Sequence, residues 1–422
     1  MDCIESYVFN GGFAVGTVSY LADVAQYSEL KPCQDTPIII VAQGLSPQDM
    51  LRIGEMTVSG LLVAKETSNS HVSILARVMG LPLLATEAVS PEWDGRRVVL
   101  DGEKGIVFID PSPEVVKHYE VKIHDEKERR KALNKYIGKS TSSPKGKSIR
   151  LYANITAPED VRSVLANDAE GIGNFKTEFL YMHSECFPDE DTQFAVYRYI
   201  ASAMQGKRVV IRTIDIGADK VPPYFQLEKE ENPAMGYRAI RFCLDHPDIF
   251  RTQIRAILRA SVYGNVAIMY PLIISVDEVL QVKELVCDVM RDLDQEGIPY
   301  NKTIEQGIMI ETPAAVMLRH ELAGVVDFFS IGTNDLTQFM LAIDRHNPLL
   351  SRFNDPKHPA ILYSIREVVS AAHEEGIWVG ISGELGADPD LIGRFLDYGV
   401  DAVALPPSLI LEMRKRIIEM DD

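Results

Sequence analysis

Cysteine is sparse and unpatterned. Five occur in 422 residues, Cys3, Cys33, Cys186, Cys243 and Cys287. None stands at metal or redox spacing, which excludes a thiolate zinc site and a C-x-x-C pair and reads as free thiols in a reducing compartment. Long apolar runs are missing too, so no membrane-spanning helix is expected. The start, "MDCIESYVF", lacks the basic residues and apolar core of a signal peptide, and a cytoplasmic location is expected. Positive charge is in deficit. The formal net charge is −18, which argues against nucleic acid or an anionic membrane as partner. A serine-hydrolase elbow is absent as well. In "VGISGELGADPD", Val379 to Asp390, Gly380, Ser382 and Gly383 are followed by Glu384, so the glycine required two residues after the serine is missing.

What is present is ordinary globular material: 46% apolar and 25% charged residues, in a length that suits two to three domains. Residues 1–124 carry short apolar runs such as "PIIIVA", "GLLVA" and "RVVLDG", which predict a small α/β domain. Residues 125–148 begin as a charged helical stretch and end in "GKSTSSPKGKS", a linker helix followed by a flexible joint. From 149 to 422 the pattern alternates. Eight short apolar runs, "RLYANI", "GIGNF", "VVIRTID", "AIMYPLI", "GIMIETP", "FFSIGTND", "WVGISGE" and "AVALP", are separated by longer amphipathic stretches. That predicts a parallel sheet closed as a (β/α)8 barrel. A doubly wound sheet is the alternative, but it does not predict polar residues after nearly every run. Here Lys176, Arg212, Asp215, Glu311, Asn334, Asp335 and Glu384 follow the runs, where a barrel places its chemistry.

Three constellations stand out. In "KETSNSHVSILARVMGLP" a Ser/Thr/Asn cluster precedes an apolar-periodic segment, with Ser70 as the expected N-cap. His71 then lies in the first helical turn, where free N–H groups favour a phosphate and the dipole keeps an imidazole neutral and nucleophilic. It is either a phosphoryl acceptor or a plain surface histidine. Glu311 and Asp335 end consecutive predicted strands, about 4.8 Å apart. They are either ligands of one hard cation such as magnesium or two helix caps. Arg212, Lys220, Arg238, Arg241 and Arg345, with Lys176, form a basic set in an acidic chain. Such a set suits a small polyanionic substrate, although Arg238 and Arg241 also read as ordinary helix-surface residues. His346, in "DRHNPLL", reads as a solvated loop histidine.

The strings "KEENPAMGYRAIRF", "RTQIRAILRAS", "GIMIETPAA" and "VDFFSIGTNDLTQFMLAIDR" resemble enzyme I of the bacterial phosphoenolpyruvate:sugar phosphotransferase system. Pyruvate phosphate dikinase and phosphoenolpyruvate synthase share the two modules, but they carry an ATP-grasp domain for which this chain has no room. The resemblance implies a mobile phosphohistidine domain and a phosphoenolpyruvate-binding barrel. It implies transfer from phosphoenolpyruvate to His71 and on to HPr, a small phosphocarrier, with release of pyruvate. Glu311 and Asp335 become Mg2+ ligands. Arg212, Asn334, Asp335 and Arg345 hold the substrate, joined by Lys176 and Arg238, and a homodimer through the barrel is expected.

The chain also departs from that pattern. A helical HPr-docking domain usually interrupts the first module, and here "YLADVAQYSELKPCQDTPIII" bridges the place. The Gly-Gly-x-Thr-Ser-His approach reads "ETSNSH", a substrate-binding arginine is Lys176, and a final Ser-x-Ser reads "ALPPS". The proton-donating cysteine position is Ser382. A thiol titrates near ~8.5 and a serine hydroxyl is far less acidic. Phosphoryl transfer is therefore expected to survive, with protonation of the enolate slowed or left to water. A phosphoenolpyruvate-binding regulator or interaction protein is the alternative function. A different barrel enzyme acting on pyruvate or phosphoenolpyruvate is a third, which a separate domain bearing His71 disfavours.

Overall fold

The computed structural model describes residues 2–21, 37–54, 56–64, 71–182, 184–217, 222–345 and 347–420. Ser70, Lys220, His346 and most of the bridging stretch at 22–36 lie outside them. The chain divides into two compact units, Met1–Lys135 and Tyr136–Asp422.

The first unit is an eight-stranded mixed sheet. Its strands are β1 (Asp2–Glu5), β2 (Tyr7–Asn10), β3 (Phe13–Leu21), β4 (Ile38–Ala42), β5 (Val58–Val63), β6 (Leu83–Ala85), β7 (Arg97–Asp101) and β8 (Ile106–Ile109). They are ordered β1-β8-β7-β3-β4-β5-β6-β2, with β3 to β6 parallel. The run "PIIIVA" is continuously apolar because both faces of β4 are covered. Ile39 and Val41 pack with Leu62, Leu84 and Leu100, while Ile40 and Ala42 pack with Met50, Leu61 and Val72. His71 is the first residue of the helix His71–Met79.

The stretch expected as a separate linker and joint, 125–148, divides between the units. Its helical part is the second half of one helix, Pro113–Leu133, started by the Ser112 cap and Pro113. That helix is fixed to the first unit by Val116 and by Tyr119, whose hydroxyl donates to Asp101 over 2.5 Å. Residues 136–148 belong to the barrel unit. Arg414 holds them there, donating to the Tyr136 carbonyl and the Thr141 hydroxyl.

The second unit is a closed parallel barrel of β9 (Arg150–Ile155), β10 (Gly171–Lys176), β11 (Arg208–Arg212), β12 (Asn265–Tyr270), β13 (Glu305–Ile310), β14 (Phe328–Gly332), β15 (Trp378–Ser382) and β16 (Ala402–Leu405). Each falls on one of the eight apolar runs. Alternation sorts the side chains. On β11, Val209 and Ile211 face the helix layer and Val210 faces the barrel interior. Ala267, Met269, Met309, Phe328 and Trp378 fill that interior with it, the last two stacked at 4.4 Å. At one end Arg208 lies over the Trp378 ring and pairs with Glu305. The opposite, C-terminal end receives the polar residues. Among the described residues, no helix is long and apolar enough to cross a membrane.

Candidate active site

The C-terminal mouth is built from the last inward-facing residue of each strand and the first residues of the loops. Lys176 and Arg212 are register partners at the ends of β10 and β11. Arg212 donates to Glu178 over 2.9 Å and pairs with Asp215 over 2.9 Å. Asp215 also accepts from Arg238 over 2.6 and 3.0 Å. Arg238 reaches Asp335 over 3.4 Å, and Asp335 pairs with Arg345 over 3.1 Å. The result is one alternating chain of charges, Glu178–Arg212–Asp215–Arg238–Asp335–Arg345. A second network fixes its backbone. Buried Gln253 accepts from the Ile214 N–H and donates to the Thr177 hydroxyl, which donates to the Arg212 carbonyl.

Burial and charge set the protonation states. Burial pushes the Asp215 carboxyl up, but Arg212 and Arg238 outweigh it and hold it below the usual carboxylate range. Glu311 goes the other way. Burial first, then the neighbouring Asp335 and Asp215 carboxylates, push it up to about 8 against the pull of Arg212 and Arg238. Its Oε1 accepts from the Leu272 N–H over 2.7 Å, and Leu272 holds a left-handed φ of 60°, a strained placement that aims the amide at the carboxylate. Oε2 faces Gly332, where an added Cβ would come within 2.6 Å of it.

These observations fit a hard cation at Glu311 and Asp335. A buried carboxyl crowded by two others gains most from a divalent ion, and the bare Gly332 leaves room beside its free oxygen. Among the described residues no group of three His, Cys, Asp or Glu could hold a metal unaided. A magnesium ion commonly takes only one or two protein carboxylates and completes its shell with water and substrate phosphate.

Ser382 ends β15 inside the barrel and is buried. It accepts from Asn174 Nδ2 over 3.2 Å, a bond that crosses the interior from β10. Its own hydroxyl donates to Asn154 Oδ1 over 3.3 Å, and Asn154 donates to the Ala404 carbonyl. Gly383, at φ 125°, lets the next loop pass: a Cβ there would meet the Thr333 hydroxyl at 2.3 Å. Asn334, beside it, accepts from the Glu384 N–H over 3.1 Å.

The mouth thus gathers Lys176, Arg212, Arg238, Glu311, Asn334, Asp335, Arg345 and Ser382, all of them candidates from the sequence. Arg241 is not among them. It donates to the Met235 and Gly236 carbonyls and clasps a loop. Glu384 offers its backbone while its side chain is exposed. Sequence reasoning missed Glu178, Asn154 and Asn174. The asparagines were visible as lone polar residues inside "RLYANI" and "GIGNF". His71 sits on the other unit, at a helix start. Among the described residues, two buried polar atoms at the mouth have no hydrogen-bond partner, Arg212 Nε and Asn174 Oδ1, as expected where a polar ligand or water completes the set.

The chain resembles known proteins along nearly its whole length. Residues 130–421 match the model of the PEP-utilising enzyme, PEP-binding domain, and residues 34–105 match the PEP-utilising enzyme, mobile domain. A phosphoenolpyruvate-protein phosphotransferase of Priestia megaterium is 43% identical over 385 residues, 91% of this chain and 67% of that protein. The Bacillus subtilis protein of the same name is 42% identical, over 91% and 68%. The chain therefore spans about two thirds of the length of these relatives.

Proposed function

Because the chain belongs to the phosphoenolpyruvate-utilising enzymes, with both their mobile and their substrate-binding domain, we propose that it is a phosphoenolpyruvate-dependent protein phosphotransferase. The phosphoryl group of phosphoenolpyruvate passes to His71 and then to a small phosphocarrier protein, and pyruvate is released. The observation that carries this reading is the alternating chain from Glu178 to Arg345 at the barrel mouth. It presents three ordered guanidinium groups to one small volume, and arginine's planar fork matches phosphate and carboxylate bidentately.

The roles follow from position. Arg212 and Arg345 hold the substrate's phosphate and carboxylate, aided by Lys176, Arg238 and Asn334. Glu178 and Asp215 touch no substrate. They fix the guanidinium planes, so the donors are already aimed when charge moves in the transition state. Glu311 and Asp335 would hold Mg2+, which when bound supplies electrostatic stabilisation of the transferring phosphoryl group. A neutral imidazole at a helix start is a competent phosphoryl acceptor, because the positive helix end disfavours the imidazolium. Met317, Leu349, Phe353 and Tyr363 are large apolar side chains exposed on the barrel unit, which supports a homodimer through the barrel.

The test is incubation with phosphoenolpyruvate labelled in its phosphoryl group, with Mg2+, beside a His71→Ala variant. The expected result is an acid-labile label that the variant lacks. Label that persists in the variant, or none in the parent protein, would overturn the reading.

A further inference from the structure

The transfer proposed above, on which this inference rests, leaves the enolate of pyruvate when the phosphoryl group departs. Pyruvate forms only when C3 of that enolate takes a proton. Ser382 is poorly placed to give one. Its single O–H is spent on Asn154 Oδ1, Asn174 donates to its oxygen, and a serine hydroxyl is a very weak acid. The guanidinium groups of Arg212, Arg238 and Arg345 do not deprotonate in proteins, and each is tied to a carboxylate.

Lys176 differs on each count. It ends β10, two residues beyond Asn174, so it stands on the same inward column above the Asn174–Ser382 bond. It is the register partner of Arg212 and is partly buried. Among the described residues it makes no hydrogen bond or ion pair, while every arginine of the mouth makes one. We propose that Lys176 is the acid that protonates C3 of the enolate.

The step balances without a further reactant. A Lys176 N–H bond breaks and its electron pair stays on Nζ. The π pair of the enolate forms the new C3–H bond as the enolate oxygen becomes the ketone. Lys176 is left as a neutral amine and regains a proton from solvent before the next turnover. Its surroundings favour that cycle. Burial, then the adjacent Arg212, hold the ammonium below the usual lysine range, and Arg345 acts in the same sense. Glu178 and Asp215 oppose this and favour the ammonium form. An arginine at this position could bind the substrate equally well but could not donate.

The step can be watched alone by running it backwards. The full-length protein is mixed with pyruvate and Mg2+ in D2O, and loss of the methyl proton signal is followed by NMR. The His71 label from phosphoenolpyruvate is measured in parallel. General acid–base catalysis is worth roughly 10²–10⁴-fold, so Lys176→Arg should slow exchange by about a hundredfold or more. Ser382→Ala should cost far less. Adding Ser382→Cys to Lys176→Arg supplies a thiol titrating near ~8.5 and should restore much of the exchange, which also shows that the arginine variant folds. Exchange by Lys176→Arg at close to the parent rate would overturn the proposal. So would failure of the double variant to regain exchange, or a parent protein that labels His71 yet does not exchange. Absence of His71 label would instead overturn the phosphotransferase reading.

Discussion

Asp215 offers the sharpest test of how the mouth is held together. It is buried, with a side chain 3% exposed, and among the described residues it is the one carboxylate paired with both Arg212 and Arg238. Asp215→Asn keeps the shape and removes the charge. It also turns an amide NH2 toward one of two guanidinium groups, each of which can only donate. Three charge-assisted hydrogen bonds or pairs are affected, at 2.6, 2.9 and 3.0 Å. Such bonds are worth about 1.5–3 kcal/mol each and do not add. Removing one partner of a buried ion pair costs about 3–5 kcal/mol, because a desolvated charge is left behind. Arg212 keeps Glu178, and Arg238 keeps the Ala234 carbonyl at 3.3 Å and Asp335 at 3.4 Å, so the loss should sit near the lower end, about 3 kcal/mol. Two effects then compete for the substrate. The site gains a net positive charge, which favours an anion, but the two arginines lose their shared anchor. A misplacement of about 1 Å can cost a hundredfold in rate, so disorder should win, with kcat/KM for His71 phosphorylation falling about tenfold to a hundredfold. Denaturant unfolding and labelling kinetics measure both. A variant of unchanged stability that binds phosphoenolpyruvate more tightly would refute the reasoning, since Asp215 would then merely oppose the substrate.

Other perturbations follow from the same geometry. Arg414 is buried and bonds Asp168, Tyr136 and Thr141; Arg414→Ala should destabilise the barrel unit by about 2–4 kcal/mol, read by urea unfolding. Burial pushes the Asp168 carboxyl up, but the Gly138 N–H and then Arg414 outweigh it and hold it below the usual range. The stability it lends is therefore full above about pH 4 and is lost as pH falls through the lowered value, and unfolding midpoints of the Arg414 variant between pH 5 and 2 should flatten. Gly383→Ala forces a Cβ onto the Thr333 hydroxyl at φ 125°, which should cost about 1–3 kcal/mol and weaken substrate binding through Asn334, visible in KM. Glu311→Gln should abolish Mg2+-stimulated labelling. In the parent protein the Glu311 proton, held to about 8, must leave when the cation binds, so Mg2+ affinity should rise as pH is raised through that value.

Much of the barrel could be read from the sequence. Each strand is a short apolar run, and its end is marked by the first charged or small polar residue, as in "VVIRTID" and "GIMIETP". Which side chains face inward came from the structure, where Arg212 shares a face with Val210. What could not be read was pairing across the interior. Nothing local says that Asn174 on β10 meets Ser382 on β15, because the two strands are not neighbours and barrel closure alone brings them together. Glu178 was hidden for another reason. It is the first residue of the helix Glu178–Met182, where an acidic residue is already accounted for by the helix dipole, so the sequence offered no surplus to explain. The helix of 113–133 was divided in the sequence by a change from apolar to charged residues at its middle. That change reflects the point where Val116 and Tyr119 stop packing on the sheet, and the backbone does not break there.

The charges of the mouth explain why so acidic a chain can bind an anion there. Lys176, Arg212, Arg238 and Arg345 face Glu178, Asp215, Glu311 and Asp335, four against four, so with Glu311 ionised the formal balance is zero where the chain as a whole stands at −18. Neutrality alone would not attract a polyanion. The arrangement does more, because the three arginines lie on alternate members of one chain and each is ordered before the substrate arrives. Binding then costs little side-chain entropy, of the kind that otherwise takes about 0.5–1.5 kcal/mol per long side chain immobilised. The carboxylates that order the arginines also weaken their grip, and this compromise suits a catalyst. A site that bound the ground state as tightly as four bare cations would lower KM without speeding transfer. A site whose arginines are held by Glu178 and Asp215 keeps its largest gain for the moment when charge spreads over the transferring group.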